Sequence, residues 1–247
     1  MSSSVPRRSR GRTIAVGLII LVLLLIAGAG MLVWRKGVNA GESVARAPLM
    51  PTSAPSQPGT TTPPRVAPPR PAAAGNALNV LVVRKGSGRG KGVEGIALVH
   101  IDDPRTRVDV VGLHPGLQLG RPGTTPTTLG DTYRSGGAPA LVEAVEDLVQ
   151  VPVDHAAELN PEGYAAMQGL LTSGANPLTA MDKVDTVLAN MSVDEGLTND
   201  LMQDLMVKLA TSGKPHVHSF SATGDVVKSP ETARLRTALR TDSLATY

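Results

Sequence analysis

The sequence predicts an α/β fold, a mixed central sheet sandwiched by helices, preceded by one transmembrane helix and a disordered Pro-rich linker. Three observations predict it. Residues 13–34 are apolar and carry no formal charge, residues 36–76 are dominated by Pro, Ala, Ser and Thr, and from Ala77 onward short strand-like apolar runs alternate with amphipathic helical patterns. The chain divides accordingly into a cytoplasmic basic tail (1–12), a transmembrane signal anchor (13–34), a Pro-rich extracytoplasmic linker (35–76) and one extracytoplasmic domain (77–247).

The apolar run TIAVGLIILVLLLIAGAGMLVW holds 22 residues, long enough as a helix to cross the hydrocarbon core of a bilayer. Arg7, Arg8, Arg10 and Arg12 precede it with no acid among them, and only Arg35 and Lys36 follow closely. That bias puts the N-terminus in the cytoplasm, and the main domain outside a single-pass cell-membrane anchor. Ala27-Gly28-Ala29 also fits a signal-peptidase site, which would release the domain, but the apolar run continues through Trp34 and suits an uncleaved anchor better. The linker cannot bury a core. Its prolines favour polyproline II, so about 40 residues at ~3.1 Å each would hold the domain up to roughly 120 Å from the membrane.

Within the domain, residues 79–84 (NVLVVR) form a continuously apolar, buried strand, followed by a loop that alternates glycines with Arg89 and Lys91. Residues 96–101 and 107–113 flank Asp102-Asp103-Pro104-Arg105, which has the composition of a hairpin turn. Gly136-Gly137 introduces a helix through Gln150, with Leu141, Val142, Val145, Leu148 and Val149 on the apolar face and Glu143, Glu146 and Asp147 facing away, as in a surface helix on a sheet. Residues 155–159 make a short strand. Asn160-Pro161 caps a helix to about Leu171, and the same Asx/Ser-Pro signal recurs at Asn176-Pro177 and Ser229-Pro230. Residues 197–210 give a further amphipathic helix and residues 217–227 a hairpin.

Charge excludes one class of partner. The pI of about 9.4 rests on nine basic residues against the single acid Glu42 in residues 1–76, which leaves 15 basic and 20 acidic residues from Ala77 onward. A nucleic-acid binder would distribute charge the other way, so no nucleic-acid partner is expected. With no cysteine there is no disulfide, thiolate chemistry or lipobox.

The glycine loop, with Arg84 and Lys85 before it, offers backbone N–H groups and positive charge to a phosphate. It fails the P-loop spacing, because Gly86 to Gly90 is one residue short before Lys91 and a strand follows, so a solvated loop is the simpler reading. His216 and His218 would share a strand face, but without a third ligand they read as surface histidines, and no metal site is expected. His100 and His155 read as packed or edge residues, and Asp102 and Asp103 as turn formers. No serine sits in a nucleophile elbow, so no catalytic residue is assigned. The sparse aromatics (Tyr133, Tyr164, Phe220 and Tyr247 in the domain) supply little stacking for sugars or bases.

In order and spacing these pieces resemble the LytR-CpsA-Psr family of exported, membrane-anchored envelope proteins. The family's NILLLGSD strand corresponds to NVLVVRKG from Asn79, RSDTIMLVHI to GVEGIALVHI from Gly92, the SIPRD hairpin exit to the end of VVGLHPG from Val110, KINAAYAYGG to TLGDTYRSGG from Thr128, and ID-x-YV-x-VDF to the start of VPVDHAAELNPEGYAAM from Val151. The resemblance covers residues 79 to about 171 and continues more faintly beyond. It implies the mixed-sheet fold above and, in the family, an arginine-rich pocket that holds the pyrophosphate of a polyprenyl-linked glycopolymer, usually with Mg2+, for transfer to peptidoglycan.

This chain departs from the pattern at the reactive groups. Gly86 replaces the acid that closes the first motif, Gly92 the arginine of RSD, Glu94 its aspartate, and Pro115 and Gly116 the arginine and aspartate of PRD. The family's arginine-rich segment after the second helix is absent, and the chain runs through Thr172-Ser173-Gly174-Ala175 instead. At ~1.5 to 3 kcal/mol per charge-assisted phosphate contact, three such losses remove several orders of magnitude in binding or rate. Arg84, Lys85, Arg89, Lys91, Glu94, Arg121 and Arg134 are the remaining candidates for phosphate or lipid binding. The resemblance implies a catalytically degenerate binding or accessory component of cell-envelope assembly. Its partners would be polyprenyl-linked glycan, peptidoglycan or wall-assembly proteins. Two alternatives stay open: an active transferase or pyrophosphatase that uses the basic loop and Mg2+, and a generic exported interaction domain.

Overall fold

The computed structural model describes residues 44–51, 66–87, 92–120, 127–172 (backbone alone for 167–172), 186–187, 189–198, 201, 216–220 and 226–247. Its strands are β1 (Ala45–Arg46), β2 (Leu78–Lys85), β3 (Val93–Ile101), β4 (Val108–Leu113), β5 (Gln118–Leu119), β6 (Thr127–Thr128), β7 (His155–Leu159), β8 (Met191–Val193) and β9 (His216–Ser219). Three α-helices accompany them: α1 (Leu129–Val149), α2 (Pro161–Thr172) and α3 (Pro230–Arg240). Seven strands form one mixed sheet in the order β1-β8-β7-β2-β3-β4-β9, and β5 pairs β6 separately. The neighbours β1/β8, β2/β7 and β4/β9 are parallel, and the other pairs are antiparallel.

The central strands are apolar on both faces, as strands covered on both sides must be. The β3–β4 hairpin turns on Asp102, whose carboxylate accepts the backbone N–H groups of Thr106 (2.7 Å) and Arg107 (2.8 Å). On one face Leu81, Val83, Ile96, Leu98 and Val111 pack beneath Leu141, Val142, Val145 and Leu148 of α1 and Leu235 and Leu239 of α3. The proline caps act as expected. Asn160 Oδ1 accepts from Gly163 N–H (2.9 Å), and Ser229 Oγ accepts from Thr232 N–H (3.1 Å).

Several elements depart from the sequence reading. The segment expected to be linker contributes to the domain: β1 pairs with β8, Val44 and Leu49 are buried, and Arg70 bridges Asp154 and the Ala77 carbonyl. A Pro-rich average had hidden these few apolar residues. Helix α1 begins eight residues before Gly137, capped by Thr128, whose Oγ1 accepts from Asp131 N–H at 3.0 Å. Gly137, at φ 67° and ψ −159°, breaks it, and the second half restarts at Ala138-Pro139. The apolar face of α1 packs as expected and Glu143 and Asp147 stay partly exposed, but α3 also packs on the helix, and Glu146, expected to face away, is buried with Oε1 accepting Val153 N–H at 2.9 Å.

The hairpin expected over 217–227 is absent among the described residues. Instead β9 is an edge strand beside β4, and Val226–Lys228 is a 3-10 turn. Leu197 and Thr198 are not helical, and the rest of the helix expected over 197–210 lies outside the described residues apart from the helical Leu201. So do the anchor over 13–34 and the cap at Asn176-Pro177. Among the described residues no helix is long and apolar enough to cross a membrane.

Candidate functional site

Register fixes one end of the sheet. Ala45, Ser192, Glu158, Val83, Ile96 and Leu113 stand in a single row across six strands. Immediately beyond that row lie Arg84 and Lys85 at the carboxyl end of β2, Glu94 at the start of β3 and His114 after β4. Crevices outside the carboxyl ends of parallel strands are where open α/β sheets gather ligand groups.

On the α2 side, a register shift between Arg84 and Lys85 leaves Glu94 as the extra residue of a β-bulge. The bulge turns Glu94 back across the strand pair, so its Oε2 lies 2.6 Å from Arg84 Nη2 and its Oε1 accepts Ser87 N–H at 3.2 Å. The Arg84 guanidinium also stacks over the Tyr164 ring of α2, 3.6 Å from the centroid. The glycine loop closes with a 2.7 Å hydrogen bond from Gly86 N–H to the Gly92 carbonyl.

On the α1 side, Lys85 Nζ pairs with Glu158 Oε2, and Glu158 Oε1 accepts the Tyr133 hydroxyl at 2.7 Å. Burial, followed by the Glu158 carboxylate, pushes the Tyr133 phenol above its ordinary range, so it donates and does not ionise.

At the hairpin exit, Gly116 N–H donates back to His114 Nδ1 at 3.0 Å. A side chain at residue 116 would place its Cβ 3.0 Å from that nitrogen, so the ring would have to shift before an acid could stand there. The N-terminus of α1 docks on the same turn. Its first donors are consumed: Leu129 N–H bonds the Leu117 carbonyl (3.1 Å), Gly130 N–H the Pro115 carbonyl (2.7 Å), and Asp131 N–H the Thr128 hydroxyl. Asp131 adds a negative charge to the first turn, held below the usual carboxylate range by its Thr128 and Arg134 bonds. A helix terminus so arranged is a poor anion receptor. Arg134, whose Nη2 would lie 3.8 Å from a Cβ on Gly92, pairs with Asp131.

Of the candidate residues, Arg84, Lys85, Glu94 and Arg134 gather at this end of the sheet, while Arg89, Lys91 and Arg121 lie outside the described residues. Each of the three described cations faces a carboxylate of the chain itself. Sequence reasoning missed Glu158, Asp131, Tyr133 and Tyr164. A lone acid in the apolar strand HAAEL was the available signal, since buried acids require partners, and two of the chain's three tyrosines stand here. The residues present do not suit Mg2+: Glu94 and Glu158 are committed to cations, and among the described residues no group of three or more His, Cys, Asp or Glu is placed to hold a metal.

A second polar cluster occupies the opposite end. The buried His100 ring bridges Asn79 Oδ1 (2.9 Å) and Asp242 Oδ1 (2.8 Å). His218, expected at the surface, is largely buried with Nε2 2.9 Å from Asp109 Oδ1, and Arg107 Nε donates to Asp109 Oδ2 at 2.7 Å. His216 is exposed.

No family model matches the chain, and no curated protein matches it. Solved structures do. The LytR-Csp2A-Psr enzyme from Actinomyces oris aligns with TM-score 0.50 and 16% identity, over 79% of this chain and 95% of that one. The Bacillus subtilis protein called transcriptional regulator yvhJ aligns with TM-score 0.49 and 15% identity, over 67% and 97%. Bacillus subtilis TagV gives 0.47 and 14%, over 67% and 97%. The likeness to the Actinomyces enzyme shows the fold expected from the strand and hairpin motifs, an α/β domain with a central mixed sheet flanked by helices.

Proposed function

We propose that this domain, with the LytR-CpsA-Psr fold, serves cell-envelope glycopolymer assembly as a membrane-anchored binding or accessory component that has lost transfer chemistry. One observation carries the reading. At the end of the sheet where an anionic lipid-linked glycan would have to be held, Arg84, Lys85 and Arg134 are each neutralised by Glu94, Glu158 and Asp131. Phosphoryl transfer is catalysed by positioning and by charge that stabilises the transferring group, and a site whose cations already face carboxylates supplies little of either. The hairpin exit gives no compensation, because Pro115 has no donor and Gly116 N–H is spent on His114.

The fold-level likeness supports envelope assembly by analogy, and the uncharged run over 13–34 supports the anchor. The test is a full-length preparation in vesicles, supplied with a polyprenyl-pyrophosphate-linked glycan, peptidoglycan and Mg2+. Glycan binding without transfer or phosphate release is the expected result. Magnesium-dependent turnover lost in Arg84→Ala would overturn the proposal in favour of the transferase. Absence of glycan or peptidoglycan binding would leave only the generic interaction domain.

A further inference from the structure

We infer that the end of the sheet carrying Arg84, Lys85 and Glu94 is the surface this domain turns toward a lipid bilayer, with the headgroup layer as its partner. The inference rests on the anchor reading of residues 13–34 and adds an orientation to it. The expected stalk of about 40 residues would have left the domain free to tumble far from the membrane. The structure shortens that tether. The chain is already part of the sheet at β1, with Val44 buried, so only residues 35–43 separate the apolar run from the folded domain. Fully extended, the ten residue steps from Trp34 to Val44 span at most about 36 Å.

Where the chain joins the sheet then decides which end faces the bilayer. β1 runs parallel to β8 and opposite to β7 and β2, so its first residue lies at the end where β2 and β7 finish. Ala45 shares a row with Ser192, Glu158 and Val83, which places Val44 level with Arg84. Three strand spacings of ~4.8 Å put the tether about 14 Å sideways from Arg84. The Asp102–Arg107 turn and the Asp242 cluster lie at the other end, roughly 20 Å further away along β3 and β4. A tether this short, attached at one end of a rigid sheet, holds that end nearest the membrane. The neutralised cations are consistent with an orientation imposed by the tether and not by attraction to anionic lipid.

The chain has no cysteine, so a single introduced thiol labels one position. The exposed residues Ser87 at the site end and Pro104 at the far end are changed one at a time to Cys in the full-length chain. Each protein is labelled with a donor dye and reconstituted into phosphatidylcholine–phosphatidylglycerol vesicles that carry an acceptor-labelled headgroup. Thr127→Cys and Thr241→Cys, the latter at an exposed residue beside Asp242, repeat the comparison at independent positions. Energy transfer is expected to be stronger from residues 87 and 127 than from 104 and 241, with apparent distances to the lipid surface shorter by up to about 20 Å. Equal or reversed transfer in a chain that floats with the vesicles after alkaline washing overturns the orientation alone. A chain that does not float overturns the anchor reading and this inference with it.

Discussion

Arg84 and Glu94 hold each other at 2.6 Å across a β-bulge, with the guanidinium stacked over Tyr164. A carboxylate and a phosphate present similar acceptor oxygens to a guanidinium, so under the proposed function Glu94 would compete with an external phosphate for Arg84. Removing its charge while keeping its shape should uncover Arg84. Glu94→Gln is expected to bind pyrophosphate about tenfold more tightly than the unmodified chain at low salt, ~1.4 kcal/mol, by titration calorimetry. An unchanged affinity would mean that the pair does not mask the site.

The Asp109 network at the opposite end predicts a pH dependence. Burial opposes the charge, but the bonds from His218 and Arg107 win and hold the Asp109 carboxyl below its ordinary value of 3.8. A depressed carboxyl stabilises the fold above its unfolded pKa, and that stability is lost as pH falls through the folded value. Asp109→Asn should therefore cost about 1–3 kcal/mol at pH 7, and the gap from the unmodified chain should narrow below pH 4. Urea midpoints at pH 7, 4 and 3 check this. A gap that widens toward pH 3 would contradict the sign.

The parts legible in the sequence share one property: their signals are local. The strand at β7 is read at its observed bounds, β2 within a residue at each end and β4 within one, because apolar runs and turn residues are adjacent in sequence. Asn160 and Ser229 cap as expected for the same reason. What escaped depends on distant partners. β1 is two residues long and forms only because β8 offers it an edge. The first half of α1 has the weak propensities of Gly130, Thr132, Ser135 and Gly136, and is held by its Thr128 cap and by docking on the turn at Pro115–Leu117. At the site, the cations were visible but their neutralisation was not. Lys85 meets Glu158 only because β2 and β7 pair in this register.

The α1 break tests whether one residue type is required. At φ 67° and ψ −159°, Gly137 occupies a region that L side chains rarely adopt, although space is open around it apart from Pro139 Cδ at 3.7 Å from an added Cβ. Gly137→Ala should destabilise by about 1–3 kcal/mol through backbone strain, lowering the melting temperature by roughly 2–12 °C. Circular dichroism melts are the measurement. A variant with unchanged melting would show that α1 straightens without cost.

The N-terminal boundary gives the sharpest prediction, because sequence composition and structure disagree about where the domain begins. A chain starting at Ala77 keeps the predicted domain yet loses the β1–β8 pairing, the burial of Val44 and Leu49, and the bridges from Arg70 to Asp154 and the Ala77 carbonyl. Two buried aliphatic side chains alone are worth about 3–6 kcal/mol, a large share of the 5–15 kcal/mol that keeps a domain folded. The loss would also uncover Asp154, whose carboxyl burial already pushes up and whose Arg70 partner would be gone. Chains starting at Val44 and at Ala77 should therefore differ by at least ~3 kcal/mol in urea unfolding, the shorter one also showing faster amide exchange in β8 and β7. Equal midpoints and equal exchange would return residues 44–76 to the role of a passive linker. They would also remove the short tether on which the proposed orientation toward a bilayer rests.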